Sequence, residues 1–321
     1  MWNIVVGPPG TGKTTFLLNE VEKFLEKGTS PGRIAYLAFT RKAAREALER
    51  ATTKFILDSQ DLPYFRTIHS LCYRQLNLKK SDVLSQSDLK EFGEIIGERI
   101  TGSWSSLEGT PVVLTKADKM LFLENISRNK RVPYKQEWNN GFSDFNWVHF
   151  DWFCRSYEKY KNSRFLNDYT DMLERFLEST NIPDLDVLFI DEAQDLSALQ
   201  WKCVKKLAEN ATEIFIAGDD DQAIYNWAVA DVQQFIDLRG KEIQLKQSYR
   251  VPKKIHELAN KIITRTKNRR EKKWQPREKE GTVNFHTSYE HIDMSSGEWL
   301  VLARNNYSLN AIEDFLKITG V

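Results

Sequence analysis

Residues 7–14 read Gly7-Pro8-Pro9-Gly10-Thr11-Gly12-Lys13-Thr14, a complete G-x-x-x-x-G-K-[ST] phosphate loop. A short apolar run, Trp2 to Val6, precedes it, and an amphipathic segment from Lys13 to Lys27 follows. Strand, loop and helix in that order are the context the motif requires. The glycines let backbone N–H groups curl around a polyphosphate, and the helix N-terminus brings its positive dipole end to the same spot. Gly7, Pro8, Gly10, Thr11, Gly12 and Thr15 would surround the phosphates, Lys13 would reach the β- and γ-phosphates, and the Thr14 hydroxyl would ligate Mg²⁺. The pattern predicts a nucleoside triphosphate site; an ordinary glycine-rich turn is the weaker alternative.

Outward from the loop, short apolar runs alternate with helical patterns: Ile4–Val6, a helix, Ile34–Phe39, then a helix from Arg41 to about Ala51. The alternation returns with Val187–Ile190, a helix near Ser197–Asn210, and Ile214–Ala217. Such alternation predicts an α/β fold, a parallel sheet covered by helices. Between the two runs, roughly Leu76 to Asn167, the chain reads as mostly helical and is expected to be an insertion. After about Asp237 a second α/β unit is expected, with strands at Ile243–Leu245, Val283–His286 and Trp299–Ala303 and helices from Pro252 and Leu309. The stretch Lys261 to Lys279 holds nine basic and two acidic residues. It is either a solvated helix end and loop or a phosphate-contacting surface.

Two further runs end in acids. Val187-Leu-Phe-Ile-Asp191-Glu192 is an apolar strand whose terminal carboxylates project into the crevice where parallel sheets bind ligands. Asp191 is expected to hold Mg²⁺ with Thr14, and Glu192 to position and deprotonate the attacking water. Acids that merely complement a helix dipole are the alternative. The run Glu213–Asp219 continues Asp220-Asp221-Gln222-Ala-Ile-Tyr225-Asn-Trp227. Three acids beside a phosphate site repel it unless they point away or meet Mg²⁺ or its waters. Gln222, neutral and able to donate and accept, suits a bridge between γ-phosphate and water. Tyr225 and Trp227 face one side of an extended segment and could either pack in a core or stack on unpaired bases.

The 321 residues suffice for two or three domains, and the net charge of +1 gives no global argument for nucleic acid. Cys72, Cys154 and Cys203 are odd in number and widely spaced, which predicts buried, reduced thiols in a cytoplasmic protein. No apolar run approaches a membrane span, and the N-terminus lacks a basic leader. The scattered histidines do not support zinc.

In order along the chain, these segments resemble the motifs of superfamily 1 DNA helicases of the UvrD/Rep/PcrA type. Ala38-Phe39-Thr40-Arg41-Lys42-Ala43-Ala44 resembles that family's A-F-T-N-K-A-A element, and Thr67-Ile68-His69-Ser70 its T-F-H-S element, both on the DNA path. Asp168-Tyr-Thr-Asp-Met-Leu173 is similar to D-F-x-D-L-L, and Asp191-Glu-Ala-Gln-Asp195 matches D-E-x-Q-D. Gly218 to Trp227 matches G-D-x-D-Q-x-I-Y-x-W, and Gln247-Ser-Tyr249-Arg250 resembles N-Y-R. The resemblance implies a first RecA-like domain from residues 1–75 and 168–237, a helical insertion at 76–167, and a partial second RecA-like domain at 238–321. It implies ATP and Mg²⁺ at Lys13, Thr14, Asp191 and Gln222, with Tyr249 stacking on adenine and Arg250 as an arginine finger. It implies single-stranded DNA along Phe39, Thr40, Arg41, Thr67, His69, Tyr225 and Trp227.

Three departures accompany the resemblance. No glutamine precedes the first strand to read adenine, Val229 stands where the family has glycine, and the later helicase motifs are absent before Val321. The expected activity is that of an ATP-dependent single-strand translocase, with 3′→5′ direction carried by the resemblance alone. A chain missing a second arginine finger should show weak, DNA-stimulated ATP hydrolysis and little unwinding, unless a further helicase region or a partner protein completes it. The alternative is a nucleotide-dependent DNA-binding module that does not translocate; another P-loop enzyme, such as a nucleotide kinase, leaves the acidic motifs unexplained. Roles in repair, replication or phage biology are not separated by these residues.

Overall fold

Six parallel strands form one sheet in the order β3-β2-β4-β5-β1-β6. The computed structural model describes residues 1–102, 115–141, 145–224, 229–303 and 307–319. The strands are β1 (Trp2–Val6), β2 (Ile34–Ala38), β3 (Tyr64–Thr67), β4 (Leu185–Ile190), β5 (Ala211–Gly218) and β6 (Lys241–Gln244). A central parallel strand is buried on both faces, which is why β1, β2 and β4 carry the apolar runs Ile4–Val6, Ile34–Ala38 and Val187–Ile190.

Successive residues divide between two cores, as the period of a strand requires. Ile4, Val6, Leu37, Leu188, Ile190 and Ile216 face one core; Val5, Tyr36, Val187, Phe189 and Phe215 face the other. On the first face lie α3 (Ile68–Gln75), α8 (Tyr169–Glu178) and α9 (Ala198–Glu209), the last bringing the fully buried Trp201. On the second lie α1 (Lys13–Glu26) and α2 (Arg41–Phe55), whose Ala44, Ala47 and Ala51 allow close approach to the strands. A third core belongs to the insertion: α4 (Gln86–Ile96), α5 (Lys116–Lys130), α6 (Tyr134–Asn139) and α7 (Trp147–Arg164) enclose Phe92, Phe150, Phe153 and Tyr157. The expected helical character of this interval therefore holds for the described residues. Cys72, Cys154 and Cys203 are all free and buried.

The second unit departs from expectation. The strand expected at Ile243–Leu245 to open a new sheet is β6, which pairs in parallel with β1, Asn3 opposite Lys241 and Val6 opposite Gln244. The first sheet thus extends beyond Asp237, following α10 (Val232–Asp237), because the apolar edge of β1 is open to a sixth partner. Val283–His286 and Trp299–Ala303 form no strand. Phe285, Leu300 and Leu302 are exposed, so they gain none of the burial that would repay an ordered ladder. The helices expected from Pro252 and Leu309 are present as α11 (Lys253–Ile263) and α12 (Tyr307–Thr319).

The insertion is tied to the sheet by charge. Arg128 of α5 is 9% exposed and meets Glu124 at 3.0 Å, Asp168 at 3.0 Å, Asp171 at 2.5 Å and Glu174 at 2.7 Å. Lys161 of α7 adds contacts to Asp168 at 2.5 Å and Asp171 at 2.6 Å. Burial raises the Glu124 carboxyl to about 7. Burial acts the same way on Asp168, but Lys161 and Arg128 outweigh it and hold that acid well below the usual carboxylate range. Asp168 thus contributes stability above the unfolded carboxylate pKa of about 4, and the contribution is lost as pH falls. Arg128→Met is expected to cost about 3–5 kcal/mol in urea unfolding at neutral pH, since it strands buried carboxylates. The loss should shrink toward about pH 5, where those acids can take up protons.

Candidate nucleotide and nucleic-acid site

The phosphate loop leaves β1 at Val6 and passes directly into α1. Gly12 occupies the N-cap position of α1 with φ +83°. Gly10 has φ +71°, and a Cβ there would lie 2.3 Å from the Cβ of Arg250, so only glycine fits beneath the segment that crosses it. That segment is pinned by main-chain contacts: the Ser248 hydroxyl donates to Pro9 O at 2.7 Å, and Tyr249 N donates to Gly10 O at 2.9 Å. Tyr249 and Arg250 therefore stand on the loop, with the Tyr249 ring exposed.

Asp191 caps the C-terminal end of β4 and is buried. Its Oδ2 accepts from Thr14 Oγ1 at 2.8 Å and from the Tyr36 hydroxyl at 2.8 Å, and its Oδ1 accepts from Glu192 N at 3.0 Å. Burial, then the charge of Asp191, raises the Tyr36 phenol well above its ordinary value, so it remains a donor. Lys13 Nζ, also buried, donates to Gly7 O at 3.1 Å and lies 3.7 Å from Glu192 Oε1. Lys13, Thr14, Asp191 and Glu192, expected together, are brought together. An ammonium has three N–H groups, and those of Lys13 are not exhausted by one carbonyl and one long carboxylate contact. The donor set and the glycine-lined loop fit a magnesium-bound triphosphate.

Glu192 adopts a left-handed conformation, φ 52°. This turns its carboxylate toward Gln194, whose Nε2 donates to Glu192 Oε2 at 2.9 Å and to Asp195 Oδ2 at 3.1 Å. Gln222 Nε2 donates to Asp219 Oδ2 at 2.5 Å. The three consecutive acids do not face phosphate unpaired. Lys272 meets Asp219 at 2.7 Å, Asp220 at 2.6 Å and Asp221 at 3.0 Å, and Arg269 grips Asp221. The basic stretch is thus divided: Arg269, Arg270 and Lys272 turn inward, while Lys261, Arg265, Lys267, Lys273 and Lys279 are exposed.

A second cleft of about 790 Å³ opens beside β3 and α2, lined by Phe39, Arg41, Thr67 and His69. Those four expected nucleic-acid residues are brought together; Arg66, Tyr73 and Tyr169 join them, which the sequence reading did not single out. Thr67 and Thr40 also cap their helices, Thr67 Oγ1 accepting from Ser70 N and Thr40 Oγ1 from Ala43 N. Thr40 is exposed at the rim and is not among the lining residues. Desolvation, helped by Arg41, lowers the His69 imidazole to about 4, and its ring meets Tyr169 edge-on at 5.9 Å. His69 is therefore neutral at physiological pH. Tyr225 and Trp227 lie outside the described residues.

The sequence profile of the UvrD/REP helicase N-terminal domain matches residues 2–242. The chain belongs to the UvrD/REP helicase family. Its relatives include a protein named "Probable DNA helicase II homolog" from Mycoplasma capricolum, 26% identical over 84% of this chain and 40% of that protein. They also include the ATP-dependent DNA helicase PcrA of Staphylococcus aureus, 25% identical over 84% of this chain and 39% of PcrA. The DNA helicase II of Haemophilus influenzae is 26% identical over 91% of this chain and 42% of its own length. The chain thus spans about two fifths of the length of the UvrD/REP helicases it matches.

Two residues of this helicase domain invite measurement. Burial, then the charge of Glu192, raises the Asp195 carboxyl to about 7, and its Oδ1 has no hydrogen-bond partner. The folded acid keeps a proton that the unfolded chain releases near about pH 4, so stability falls as pH rises through that window. Asp195→Asn, isosteric with the protonated acid, should match the wild type near about pH 4 and exceed it in urea resistance above about pH 8. Val229 holds φ 86°, the region glycine favours, so the valine that stands where the family has glycine sits at a strained residue. Val229→Gly should raise stability by about 1 kcal/mol, read as a shift in denaturation midpoint at unchanged slope.

Proposed function

We propose that this chain binds ATP on the phosphate loop and hydrolyses it in response to single-stranded DNA lying in the cleft lined by Phe39, Arg41, Thr67 and His69. The observation that carries the reading is the meeting of Lys13, Thr14, Asp191 and Glu192, supplied by α1 and the end of β4, at one point around the buried Lys13 and Asp191. Lys13 would donate to the β- and γ-phosphates. Thr14 and Asp191 would hold Mg²⁺, which when bound neutralises developing phosphate charge. Glu192 would accept the proton of the attacking water, with Gln222 orienting that water against the γ-phosphate. Tyr249, exposed above Gly10, suits a platform for the adenine, and Arg250 beside it suits a cation for the transition state. Phe39 and Tyr169 offer ring faces to unpaired bases, while Arg41 supplies charge for the backbone. Tyr225 and Trp227 belong to the same proposal.

Translocation 3′→5′ along the strand, in the sense of the resemblance, is part of the same reading, as is a cytoplasmic setting, which suits free cysteines. Among the described residues no helix is long and apolar enough to cross a membrane. Phosphate release measured with and without an oligonucleotide tests the core of it. Stimulation by DNA is expected, and Glu192→Gln should lower kcat by about 10²–10⁴-fold while nucleotide affinity stays near wild type. A Lys13→Ala chain that hydrolyses ATP as fast as the wild type would end the proposal. On a forked duplex, nucleotide-dependent affinity without strand displacement would instead indicate a binding module.

A further inference from the structure

The segment after α11 reaches the acids at the end of β5 through the buried cation Lys272. The Lys272 side chain is 2% exposed, and its three N–H groups meet three carboxylates: Asp219 Oδ1, Asp220 Oδ1 and Asp221 Oδ2, at 2.7, 2.6 and 3.0 Å. Arg269 Nε donates to Asp221 Oδ1 at 2.7 Å, and Arg270 N donates to Asp220 Oδ2 at 2.8 Å. The Arg270 guanidinium continues to the carbonyl oxygens of Phe235, at 3.0 Å, and Leu238, at 2.7 Å.

Asp219 is fully buried and stands at a fork. Its Oδ1 takes Lys272, while its Oδ2 takes Gln222 Nε2 at 2.5 Å. Its backbone N donates to Gln194 Oε1 at 3.0 Å, and Gln194 Nε2 passes on to Glu192 Oε2 at 2.9 Å. The amide orientation follows from chemistry: a backbone N–H can only donate, so Oε1 must face Asp219 and Nε2 must face the carboxylates. Gly218 makes this seat possible, because a Cβ there would lie 2.8 Å from Gln194 Oε1. One path therefore runs from Lys272 to Gln222, and a second from Asp219 to Glu192.

The same stretch of chain is held at its other end against the phosphate loop. Gln275 N donates to Lys246 O at 2.7 Å, Ser248 N to Gln275 O at 2.8 Å, and Arg277 N to Val251 O at 2.9 Å. Ser248 and Tyr249 in turn bond Pro9 and Gly10. Residues 246–251 and 269–277 thus form one strap that grips both the loop and the acids at the end of β5.

We propose that Lys272 is a positioning residue for hydrolysis, fixing Gln222 and Glu192 through Asp219 so that movement of the strap against the sheet is read directly by the two groups that handle the attacking water. This rests on the hydrolytic reading given above. Without Lys272 the three neighbouring acids repel one another, and Asp219 Oδ1 is left with only the Asp221 N–H at 3.2 Å, so the Asp219 side chain shifts and carries Gln222 and, through its backbone N–H, Gln194 with it.

The experiment is steady-state ATP hydrolysis by the whole chain with a single-stranded oligonucleotide, beside fluorescent-nucleotide affinity and thermal melting. Lys272→Met should lower kcat by about 10²-fold, the cost of a misplacement near 1 Å, with KM and nucleotide affinity within about threefold of wild type. Lys272→Arg, which keeps the charge, should recover most of the rate. Where Lys272→Met fails to fold, Asp219→Asn serves: it leaves Lys272 paired with Asp220 and Asp221 but sets an amide N–H₂ against one of its former donors. It should show the same split between kcat and KM. A folded Lys272→Met or Asp219→Asn chain with kcat within about threefold of wild type overturns the proposal. If the wild-type chain hydrolyses nothing, the hydrolytic reading fails separately. Side-chain amide NMR signals of Gln194 and Gln222 then decide the relay, and signals unmoved by Lys272→Met sink it.

Discussion

The Asp191 carboxylate is the joint on which this molecule's site turns. Parallel strands deliver all their C-terminal ends to one edge of the sheet, and Asp191 emerges there one residue beyond β4. Three donors converge on it, from the start of α1, the middle of β2 and the following peptide. A buried carboxylate needs such company, because burial disfavours its charge unless hydrogen bonds favour it. Remove the sheet order and neither Thr14 nor Tyr36 is within its reach. The phosphate loop, Glu192 and the strap above Gly10 are all referenced to that one position.

Charge compensation governs the rest of the architecture. The net charge of the chain is near zero, yet its acids and bases are far from mixed at random. Two buried clusters, Arg128 with Lys161 and Lys272 with Arg269, each hold several carboxylates at a boundary between structural units. The first anchors the helical insertion to α8, and the second anchors the strap to β5. Buried ion pairs are weak sources of stability but strict about geometry, since a lost partner leaves a charge without solvent. Both boundaries thereby acquire defined registers rather than greasy, sliding contacts.

Much of this was legible in the residues. The loop at Gly7–Thr14, the acids closing β4 and the apolar runs of β1, β2 and β4 are local signals, and the structure places them as the sequence reading expected. The segments expected along nucleic acid likewise bring Phe39, Arg41, Thr67 and His69 into one cleft. What failed was topological. Lys241–Gln244 carries the pattern of any short strand, and nothing in it says whether it begins a sheet or completes one; the open edge of β1 decides. Val283–His286 has strand-forming residues but no ladder to join. Tyr36 gave no signal, because an inward tyrosine on a buried strand reads as core until its hydroxyl is seen against Asp191. Lys272 was hidden in a basic run, where composition reports the charges but not which of them turn inward.

Thr14 and Asp191 are 177 residues apart in the chain, and Tyr36 and Asp191 are 155 apart. Contacts so remote form only after the intervening loops have closed, which makes them late and slow events in folding. A chain with β1 and α1 in place but β4 undocked therefore has a phosphate loop and nothing opposite it. Any ligand that prefers the assembled pocket draws the whole population toward completed chains by mass action. In a cell, the supply of that ligand would decide how long a newly made molecule lingers exposed to proteases.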